Sequence, residues 1–447
     1  MTVIGLDDTD SRERGMCTTY AAATLAERLP AVSRTLLIRL NPAVEYKTRG
    51  NAALAIHTEA SPSEVRPAVE DVLAMAETDD PRTNPGAVIA DIDPDVDSDV
   101  DSDAIPQAVA DFADDALHEV LPIDAARDCI TAHDFDAITA GDGRGVVGAL
   151  AAVGAWASHD DWTYECIAYR KASAWGTERA VDDDSVFAAA ADAYPAAWDT
   201  ADGEEGYAVC VPKTPCPILH GIRGDDATTV ERVSRAIESE PVARRHTFLT
   251  NQGTDAHLRD ASLATLTNGV APDKDATDGG AYRVTGEVVA APETRQGGHV
   301  FFRLGDGEQD GDGDSSGDPA DSIACAAFEP TKRFRDRVRA LRVGDRLTVC
   351  GELSDGTLKL EKFCVRDLVT TERVTPTCSD CGRSMESAGR DQGYRCRDCG
   401  TSTASKEEVR IDRDLEPGWY EVPPVARRHI AKPLVRGGFD APVHPER

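Results

Sequence analysis

The chain begins MTVIGLDDTDSRERGMCTTY (residues 1–20), and this stretch decides how the first part of the fold is interpreted. The β-branched and apolar residues 2–6 predict a short buried strand. Three carboxylates follow, at Asp7, Asp8 and Asp10. Clustered carboxylates hold Mg²⁺ through a few oxygens while substrate phosphates supply the remaining ligands. The same residue types also form an ordinary solvated turn, so the residues alone leave both interpretations open.

A helix is expected to open near Gly15 and to end before Pro30, with Met16 and Tyr20 on its inner face. Thr18 then lies in or near the first turn, where unbonded backbone N–H groups and the helix dipole attract anions. A strand, an acidic loop, a hydroxyl and a helix N-terminus together point to ATP chemistry. The simpler alternative is a turn followed by a helix cap.

Length and composition limit the number of domains and the class of protein that the chain can form. A chain of 447 residues holds three or four domains at about 150 residues each. With 48 basic against 80 acidic residues, the net charge is −32. Such acidity normally argues against nucleic acid, because phosphate contacts need Lys and Arg. Abundant Asp, Ala and Val with little Lys instead suggest a halophile, since molar salt screens charges beyond about 3 Å.

The sequence also predicts where the protein works. It contains no run of 18 apolar residues, so no membrane span is expected. Its start lacks the basic and apolar regions of a signal peptide, which predicts a cytoplasmic protein. In such a chain, 12 cysteines are interpreted as four metal ligands and scattered buried thiols rather than disulfides.

Two further segments offer phosphate contacts. Lys47 and Arg49 lie in a predicted loop between strands at 34–40 and 52–57, and two cations there can clamp phosphates. The segment GDGRGVVG places Gly143, Gly145 and Gly148 as G-x-G-x-x-G before an apolar helix, a backbone cradle for phosphate. Alone, each pattern is weak, because surface charges and glycine packing turns are common.

Acidic low-complexity residues interrupt the chain at 91–103 and at 306–321. With almost nothing to bury, both are expected to be solvated insertions between strands. The first contains a D-x-D repeat, but no Gly or Glu stands at the spacing of an EF-hand. Whether either insertion is ordered is left open.

The middle of the chain alternates strands and helices. Strands are predicted at 163–170, at 207–212 and within 241–253, with a helix at 186–193, which suggests a ferredoxin-like α+β sandwich. Between them lies TPCPILHGIRG (214–224). There Cys216 and His220 are either a nucleophile pair or, as the better expectation, a buried structural thiol beside an unrelated histidine.

Five short strands follow, at 282–290, 299–304, 323–328, 345–353 and 357–365, with a helix after the third. That order is typical of an OB-fold β-barrel. Residues 331–346 carry seven Lys or Arg against two Asp, and Arg333, Arg335 and Arg339 are the candidates for RNA phosphates. The alternative is a basic helix that only balances neighbouring acids. The tail carries further cations at residues 427–436 that are candidates for touching RNA.

The strongest local signal is a pair of C-x-x-C sequences. Cys378, Cys381, Cys396 and Cys399 have the spacing of a tetrahedral zinc site, and a glycine follows each pair. Four thiolates leave no open ligand position, so the predicted Zn²⁺ is structural. A redox dithiol is the less favoured alternative.

GLDDTDS followed by GMCTTY resembles the archaeal 2-agmatinylcytidine synthetases of the AUA-decoding isoleucine tRNA, here in a haloarchaeal form. KTRGN and the glycine-rich segment extend the resemblance. It implies ATP-dependent joining of agmatine to C2 of the wobble cytidine, with release of AMP and phosphate. The implied fold is multidomain α+β: a kinase-like α/β domain (1–158), a ferredoxin-like domain (159–272), an OB-fold (280–370) and a zinc ribbon with the tail (371–447).

The resemblance also implies residue roles. Thr18 falls on the autophosphorylated threonine, and Asp7 and Asp8 on the catalytic acidic pair that holds Mg²⁺. The implied ATP contacts are Asp10, Lys47, Arg49, Gly143, Gly145 and Gly148. The implied agmatine pocket contains Cys216, Gly221, Arg223, Asn251 and Asp255, with Asp225 as another carboxylate for the dication.

Two rival functions remain open on the sequence. One is a non-catalytic RNA- or DNA-binding protein, in which the acidic loop and Thr18 have no role. The other is a kinase or ATPase acting on a small metabolite, in which the RNA-binding modules are surplus. The oligomeric state and the tRNA arm held by each module are not predicted.

Overall fold

The computed structural model describes residues 1–13, 15–45, 47, 50–92, 105–267, 277–307, 322–390 and 392–447. Arg49 and most of the two acidic insertions lie outside these residues, so the predictions for them are not addressed.

The first half of the described chain forms one mixed sheet with helices on both faces. Its elements are β1 (Thr2–Asp7), α1 (Thr18–Arg28), β2 (Val32–Arg39), β3 (Ala52–Thr58), α2 (Pro62–Leu73), β4 (Gly86–Asp91), α3 (Gln107–His118), α4 (Ile123–Ala132), β5 (Asp136–Thr139), α5 (Gly145–Ser158), β6 (Thr163–Arg170), α6 (Asp183–Ala193), β7 (Ala197–Trp198), β8 (Ile218–Gly224), α7 (Ala227–Ala236) and β9 (Val242–Thr250). The nine described strands are ordered β5-β4-β1-β3-β2-β9-β6-β8-β7. The predicted first strand and first helix are confirmed.

A single sheet therefore joins the two segments that the sequence suggested as separate domains. The join is a short parallel pairing of β2 with β9, in which Leu36 lies opposite Leu249 and Leu37 opposite Thr250. Asn251 reinforces it, because its side chain accepts a hydrogen bond from the Arg39 N–H (2.8 Å) and donates one to the Arg39 carbonyl (3.0 Å).

Helix α5 packs unusually close to β1. The helix is apolar on all sides and is largely buried between β1 and α3, as expected for a helix without a solvent face. A Cβ on Gly5 would overlap the backbone of Ala149, and one on Gly148 would overlap the carboxylate of Asp7. Glycine at both positions brings the start of α5 against the end of β1.

The strand predicted at 207–212 is wrong. These residues form turns, and the strand that pairs with β6 in the sheet is β8, within the segment 214–224 for which no strand was predicted. Pro212, Pro215 and Pro217 lack the N–H groups that a ladder needs. In β8, Leu219 and Ile222 are fully buried.

The second half contains a closed barrel and a small ribbon. Its elements are β10 (Leu258–Asp260), α8 (Leu263–Thr267), β11 (Ala281–Thr294), β12 (Val300–Gly305), β13 (Ser322–Ala327), α9 (Phe334–Arg339), β14 (Arg346–Ser354), β15 (Thr357–Asp367), β16 (Thr371–Val374), β17 (Glu386–Ser387), β18 (Tyr394–Arg395), β19 (Ser402–Thr403), β20 (Glu407–Arg410), β21 (Gly418–Glu421) and β22 (Val443–His444). Strands β11-β12-β13-β15-β14 close back onto β11 around one apolar core. The five predicted strands and the helix after the third are confirmed.

The C-terminal tail ties the barrel to the nine-stranded sheet. Strand β21 pairs with β15, and the chain beyond it supplies cations to carboxylates of both units. Arg427 is 2% exposed and pairs with Asp199 and, at 2.7 Å, with Glu421. Arg436 pairs with Asp225 at 2.6 Å. The prediction that the tail contacts RNA fails for Arg427, because its buried guanidinium has no surface to offer.

Replacing Arg427 with Met should destabilise the protein strongly. The substitution leaves Asp199 and Glu421 buried without their partner, a type of change that costs about 3–5 kcal/mol. The midpoint of urea unfolding, measured in molar KCl, reports the effect. Arg232→Met is the matched control, since Arg232 and Asp192 form an exposed pair whose loss should cost about 1 kcal/mol or less. Equal midpoints for the two variants would contradict the role given to the tail.

Candidate active site

A cavity of about 520 Å³ opens where β1, α1 and α5 meet. Its polar half is formed by most of the predicted phosphate-site residues. They are Asp7, Asp8, Asp10, Thr18, Lys47, Gly145 and Gly148. The structure therefore brings together segments that are more than a hundred positions apart in the chain.

The acidic loop is held in a fixed conformation. Asp8 has a positive φ of 54°, which Asp tolerates better than most residues. Its N–H donates to Asp7 Oδ1 at 2.7 Å, and its own Oδ2 accepts the Asn84 N–H at 3.0 Å. Arg144 Nε lies 3.5 Å from the same oxygen. These contacts aim both carboxylates toward the start of α5.

Burial sets the charge state of this pair. Desolvation, followed by repulsion from Asp8, raises the pKa of Asp7 well above its ordinary value. Desolvation raises the pKa of Asp8 to about 7, against the opposing effects of the Asn84 N–H and Arg144. Two neighbouring half-buried carboxylates are unfavourable in their charged form unless a cation neutralises them.

Thr18 is the first residue of α1 and is 4% exposed. Its N–H donates to Asp10 Oδ1 at 2.8 Å, so Asp10 caps the helix. Its hydroxyl oxygen accepts hydrogen bonds from the Thr9 hydroxyl at 3.2 Å and the Thr9 N–H at 3.4 Å. The hydroxyl is thereby oriented at the wall of the cavity.

The remaining cavity residues divide into cationic and apolar. Lys47 donates its ammonium protons to the carbonyls of Pro42 and, at 2.9 Å, Val44, and burial lowers its pKa. The opposite wall is apolar, and this half of the cavity suits a flat heterocycle. Its residues include Leu40, Val44, Val120, Leu121, Ile123 and Val147.

Asn84 and Arg144 are site residues that the sequence analysis missed. Besides holding Asp8, Asn84 accepts the Asp142 N–H with its side chain at 2.9 Å, and Arg144 is the first residue before α5. Arg144 was visible inside GDGRG but carried no distinguishing pattern. Gly143 does not line the cavity but has φ of +82° in the turn that starts the helix.

The predicted agmatine residues lie in and beside β8 and β9: Gly221 and Arg223 are in β8, Cys216 precedes it, and Asn251 and Asp255 follow β9. Cys216 is 1% exposed, and its sulfur accepts from Arg179 at 3.1 Å, whereas His220 bonds Ser234 at 2.9 Å. A Cys216–His220 nucleophile pair is therefore wrong, and the buried thiol is confirmed. Asp255 is already bound by Lys362 and by the Lys432 N–H at 2.7 Å.

The predicted RNA-contacting arginines lie around α9. Arg333, 17% exposed, is within 4.0 Å of four carboxylates, which belong to Asp202, Glu204, Glu205 and Glu446. Arg335 donates to the Gly298 carbonyl at 2.7 Å. Arg339 bonds the Thr294 hydroxyl at 3.1 Å and is 36% exposed. The four ion pairs of Arg333 favour the alternative given above, in which the basic residues of this helix balance neighbouring acids.

The four ribbon cysteines converge. The sulfur atoms of Cys378, Cys381, Cys396 and Cys399 all lie within 4.8 Å of one another. Backbone N–H groups, that of Asp380 foremost, lower the pKa of Cys378 to about 7. Four sulfurs at this spacing fit a tetrahedral Zn²⁺.

These observations define a multidomain protein with mixed α/β sheets, a cavity lined by carboxylates at the start of two helices, and a C-terminal zinc ribbon. Comparisons with known proteins are more specific. Family models match as the TiaS TCKD domain over residues 3–142, the TiaS FLD domain over 143–257 and the TiaS C-terminal zinc ribbon domain over 375–415.

Full-length relatives agree with the family models. The isoleucine-tRNA 2-agmatinylcytidine synthetase TiaS of Haloquadratum walsbyi is 50% identical, with 100% of both chains covered. A solved complex of TiaS with its isoleucine tRNA and ATP is 39% identical, with a TM-score of 0.83 over 100% of this chain and 99% of that one. A solved complex of TiaS with the same tRNA, AMPCPP and agmatine is 36% identical, with a TM-score of 0.79 over 100% of this chain and 99% of that one. The chain belongs to the TiaS family, which confirms the resemblance drawn from its first 20 residues.

No helix in the described ranges is long and apolar enough to cross a membrane.

Replacing Asp8 with Asn should remove a pH dependence of stability. In metal-free wild type the folded pKa of about 7 exceeds the unfolded value of about 3.9. The folded state therefore binds the proton more tightly, and this group's contribution to stability falls as the pH rises from about 4 to 7. Asn cannot ionise and tolerates the positive φ. From pH 4.5 to 8 the variant should gain about 3 kcal/mol relative to wild type, measured from denaturant midpoints at constant KCl. If the difference in unfolding free energy between the variant and wild type were the same at every pH, the argument that burial raises the pKa of Asp8 would be contradicted.

Proposed function

We propose that this protein attaches agmatine to C2 of the wobble cytidine in the AUA-decoding isoleucine tRNA, consuming ATP and releasing AMP and phosphate. The observation that carries the proposal is the meeting of Asp7, Asp8 and the Thr18 hydroxyl in one cavity, within a chain that matches TiaS proteins from end to end. Because the substrate is a tRNA, we also propose that the protein acts in the cytoplasm.

The chemistry needs an activated base. The oxygen on C2 of cytosine leaves poorly, and phosphorylating it lets the agmatine amine displace it as phosphate. The wobble nucleotide sits in a loop, so moving its base into a site costs little stacking energy. Thr18, whose hydroxyl is held at the cavity wall, is the proposed acceptor of the γ-phosphoryl group during ATP cleavage.

The acidic pair is proposed to hold Mg²⁺, and the site fits it, because two half-buried carboxylates with raised pKa values adjoin the start of a helix. A bound Mg²⁺ would neutralise charge on the transferring group. Gly148 presents no side chain to the Asp7 carboxylate, and Gly145 presents none to Gly86, so the cavity stays open at the start of α5. The positive end of the helix dipole and the Lys47 ammonium are the proposed attraction for phosphate. The apolar wall is the proposed seat of the adenine.

The other modules are proposed to position the tRNA. The closed five-strand barrel (280–370) supports an OB-fold, and we keep the kinase-like (1–158) and ferredoxin-like (159–272) units and the ribbon with the tail (371–447) as proposed domains. Arg335 and Arg339 remain proposed phosphate contacts. Asp255 and Asp225 remain proposed carboxylates for agmatine, although each now has a cationic partner.

Nucleotide accounting tests the proposal. Purified protein in molar KCl, given ATP, the tRNA and labelled agmatine, should form AMP and labelled tRNA, and neither should form without tRNA. Thr18→Ala should fold and bind tRNA but lose agmatine transfer at least 100-fold, and Thr18→Ser should restore part of it. Thr19→Ala is the matched control, because Thr19 is adjacent but bonds Cys17 instead. Phosphopeptide mapping separates the two hydroxyls.

Each rival predicts a different result. ADP as the sole product, or turnover without tRNA, favours a small-metabolite kinase. Intact ATP with tight tRNA binding favours a non-catalytic binding protein. Normal agmatine transfer by the Thr18→Ala variant would refute the role proposed for Thr18 and leave the rest of the proposal standing.

Removing the zinc site should weaken tRNA binding and leave the rest of the fold intact. Cys378→Ser deletes one of four thiolates, and zinc binding contributes folding free energy to small metal sites. Zinc content should fall from about one per chain and the Kd for tRNA should rise. Cys325→Ser, in the barrel core, is a control that should retain zinc. An absence of zinc in the wild type would refute the structural metal.

A further inference from the structure

Two arginines and one glutamate form a buried cluster beside the cavity. Arg39 ends β2, Glu165 lies on β6 and Arg223 lies directly opposite Glu165 on β8. Arg39 Nη2 is 3.9 Å and Arg223 Nε 3.6 Å from the Glu165 carboxylate. The side chains of Arg39, Arg223 and Glu165 are 14%, 13% and 5% exposed.

Several polar atoms of the cluster lack hydrogen-bond partners. Gln252, fully buried, donates its amide to Glu165, and the carboxylate is thereby shared among three groups. Within the described residues, Arg39 Nε, Arg223 Nε, Gln252 Oε1 and His429 Nδ1 are buried without a hydrogen-bond partner. Buried polar groups normally find partners, so such a concentration of unbonded polar atoms, two of them guanidinium N–H groups, marks a place for a ligand.

The charge of the cluster selects an anion. Arg39 and Arg223 contribute two positive charges and Glu165 one negative, while burial and the neighbouring arginines lower the pKa of His429 and keep it neutral. These three charged side chains sum to +1, with Asp10 facing Arg39 and Asp199 facing Arg223 from outside the cluster. The N–H groups without a hydrogen-bond partner belong to guanidinium planes. Planar guanidinium groups bind phosphate oxygens in pairs. A dication such as agmatine is repelled by the same groups.

The cluster adjoins the acidic cavity through Gly50. Gly50 lines that cavity, and a Cβ on it would lie 2.7 Å from Arg39 Nη1 and 3.8 Å from the His429 ring. On the sheet side, a Cβ on Gly221 would lie 2.6 Å from the Glu165 carboxylate. Glycine at both positions leaves the cluster open to a group that spans from the Thr18 side of the cavity.

We infer that Arg39 and Arg223 form the binding site for the phosphoryl group carried on O2 of the wobble cytosine. The inference rests on the proposed function. When agmatine attacks, its nitrogen forms the bond to C2, the C2–O2 bond breaks, and phosphate departs with O2 and one amine proton. The two guanidinium groups stabilise the charge that gathers on that leaving group, so they act on catalysis rather than on amine binding.

Binding of inorganic phosphate tests the site independently of agmatine transfer. The wild type, saturated with a non-hydrolysable ATP analogue so that the cavity is filled, should bind about one further labelled inorganic phosphate per chain in equilibrium dialysis. Arg39→Gln and Arg223→Gln should each weaken that binding at least tenfold. Arg232→Gln, which removes an exposed charge, should not.

Kinetics separates this role from a structural one and from agmatine binding. Arg223→Gln should lower kcat for agmatine transfer about 100-fold or more, as removal of one oxyanion donor does, with KM for agmatine changed less than twofold. Arg223→Lys should recover part of kcat, and serves if the Gln variant is unstable. The inference would be overturned if the wild type, saturated with the ATP analogue, bound no labelled phosphate. It would also be overturned if Arg223→Gln raised KM for agmatine and left kcat unchanged. Failure of the proposed function differs, since the wild type would then transfer no agmatine.

Discussion

The contact between β1 and α5 is the constraint on which the site depends. Where the strand ends, the Asp7 carboxylate needs a neighbour with no side chain in the way, and α5 provides one because residue 148 is glycine. Gly145 allows the same close approach to Gly86, which pairs with Asp7 in the sheet. The apolar helix can be buried at this distance only because Gly5 faces it from the strand. This one packing contact therefore fixes the positions of the acidic pair and of the helix start, and it places Thr18 relative to both.

The sequence predicted those parts of the protein whose determinants are local. The first strand, the first helix and the five barrel strands follow from short apolar patterns, and the ribbon follows from thiol spacing. The wrong strand at 207–212 and the missed strand Ile218–Gly224 show the limit. Both segments are apolar, and only the prolines between them and the demands of the sheet decide which one pairs.

Other features depend on contacts between distant segments, which no local pattern encodes. Asn84 reaches Asp8 across 76 positions, and Arg427 reaches Asp199 across 228. Arg333 carried the right charge for the RNA contact predicted from the local excess of basic residues, and Asp255 for the agmatine contact implied by resemblance, yet each has an internal ion-pair partner in the fold. In so acidic a chain a basic residue seldom lacks a carboxylate nearby, so its charge alone says little about an external ligand.

The tail described above has a consequence for dissecting the protein into fragments. Arg427 pairs with Asp199 of the nine-stranded sheet and with Glu421 of the barrel, and Arg436 pairs with Asp225 of the sheet. His429, which borders the arginine cluster, lies on the same segment. A fragment that stops at residue 272 therefore lacks the cations that face Asp199 and Asp225, together with one wall of the arginine cluster. The sheet carries the acidic loop, but it is not a complete unit without residues 427–436.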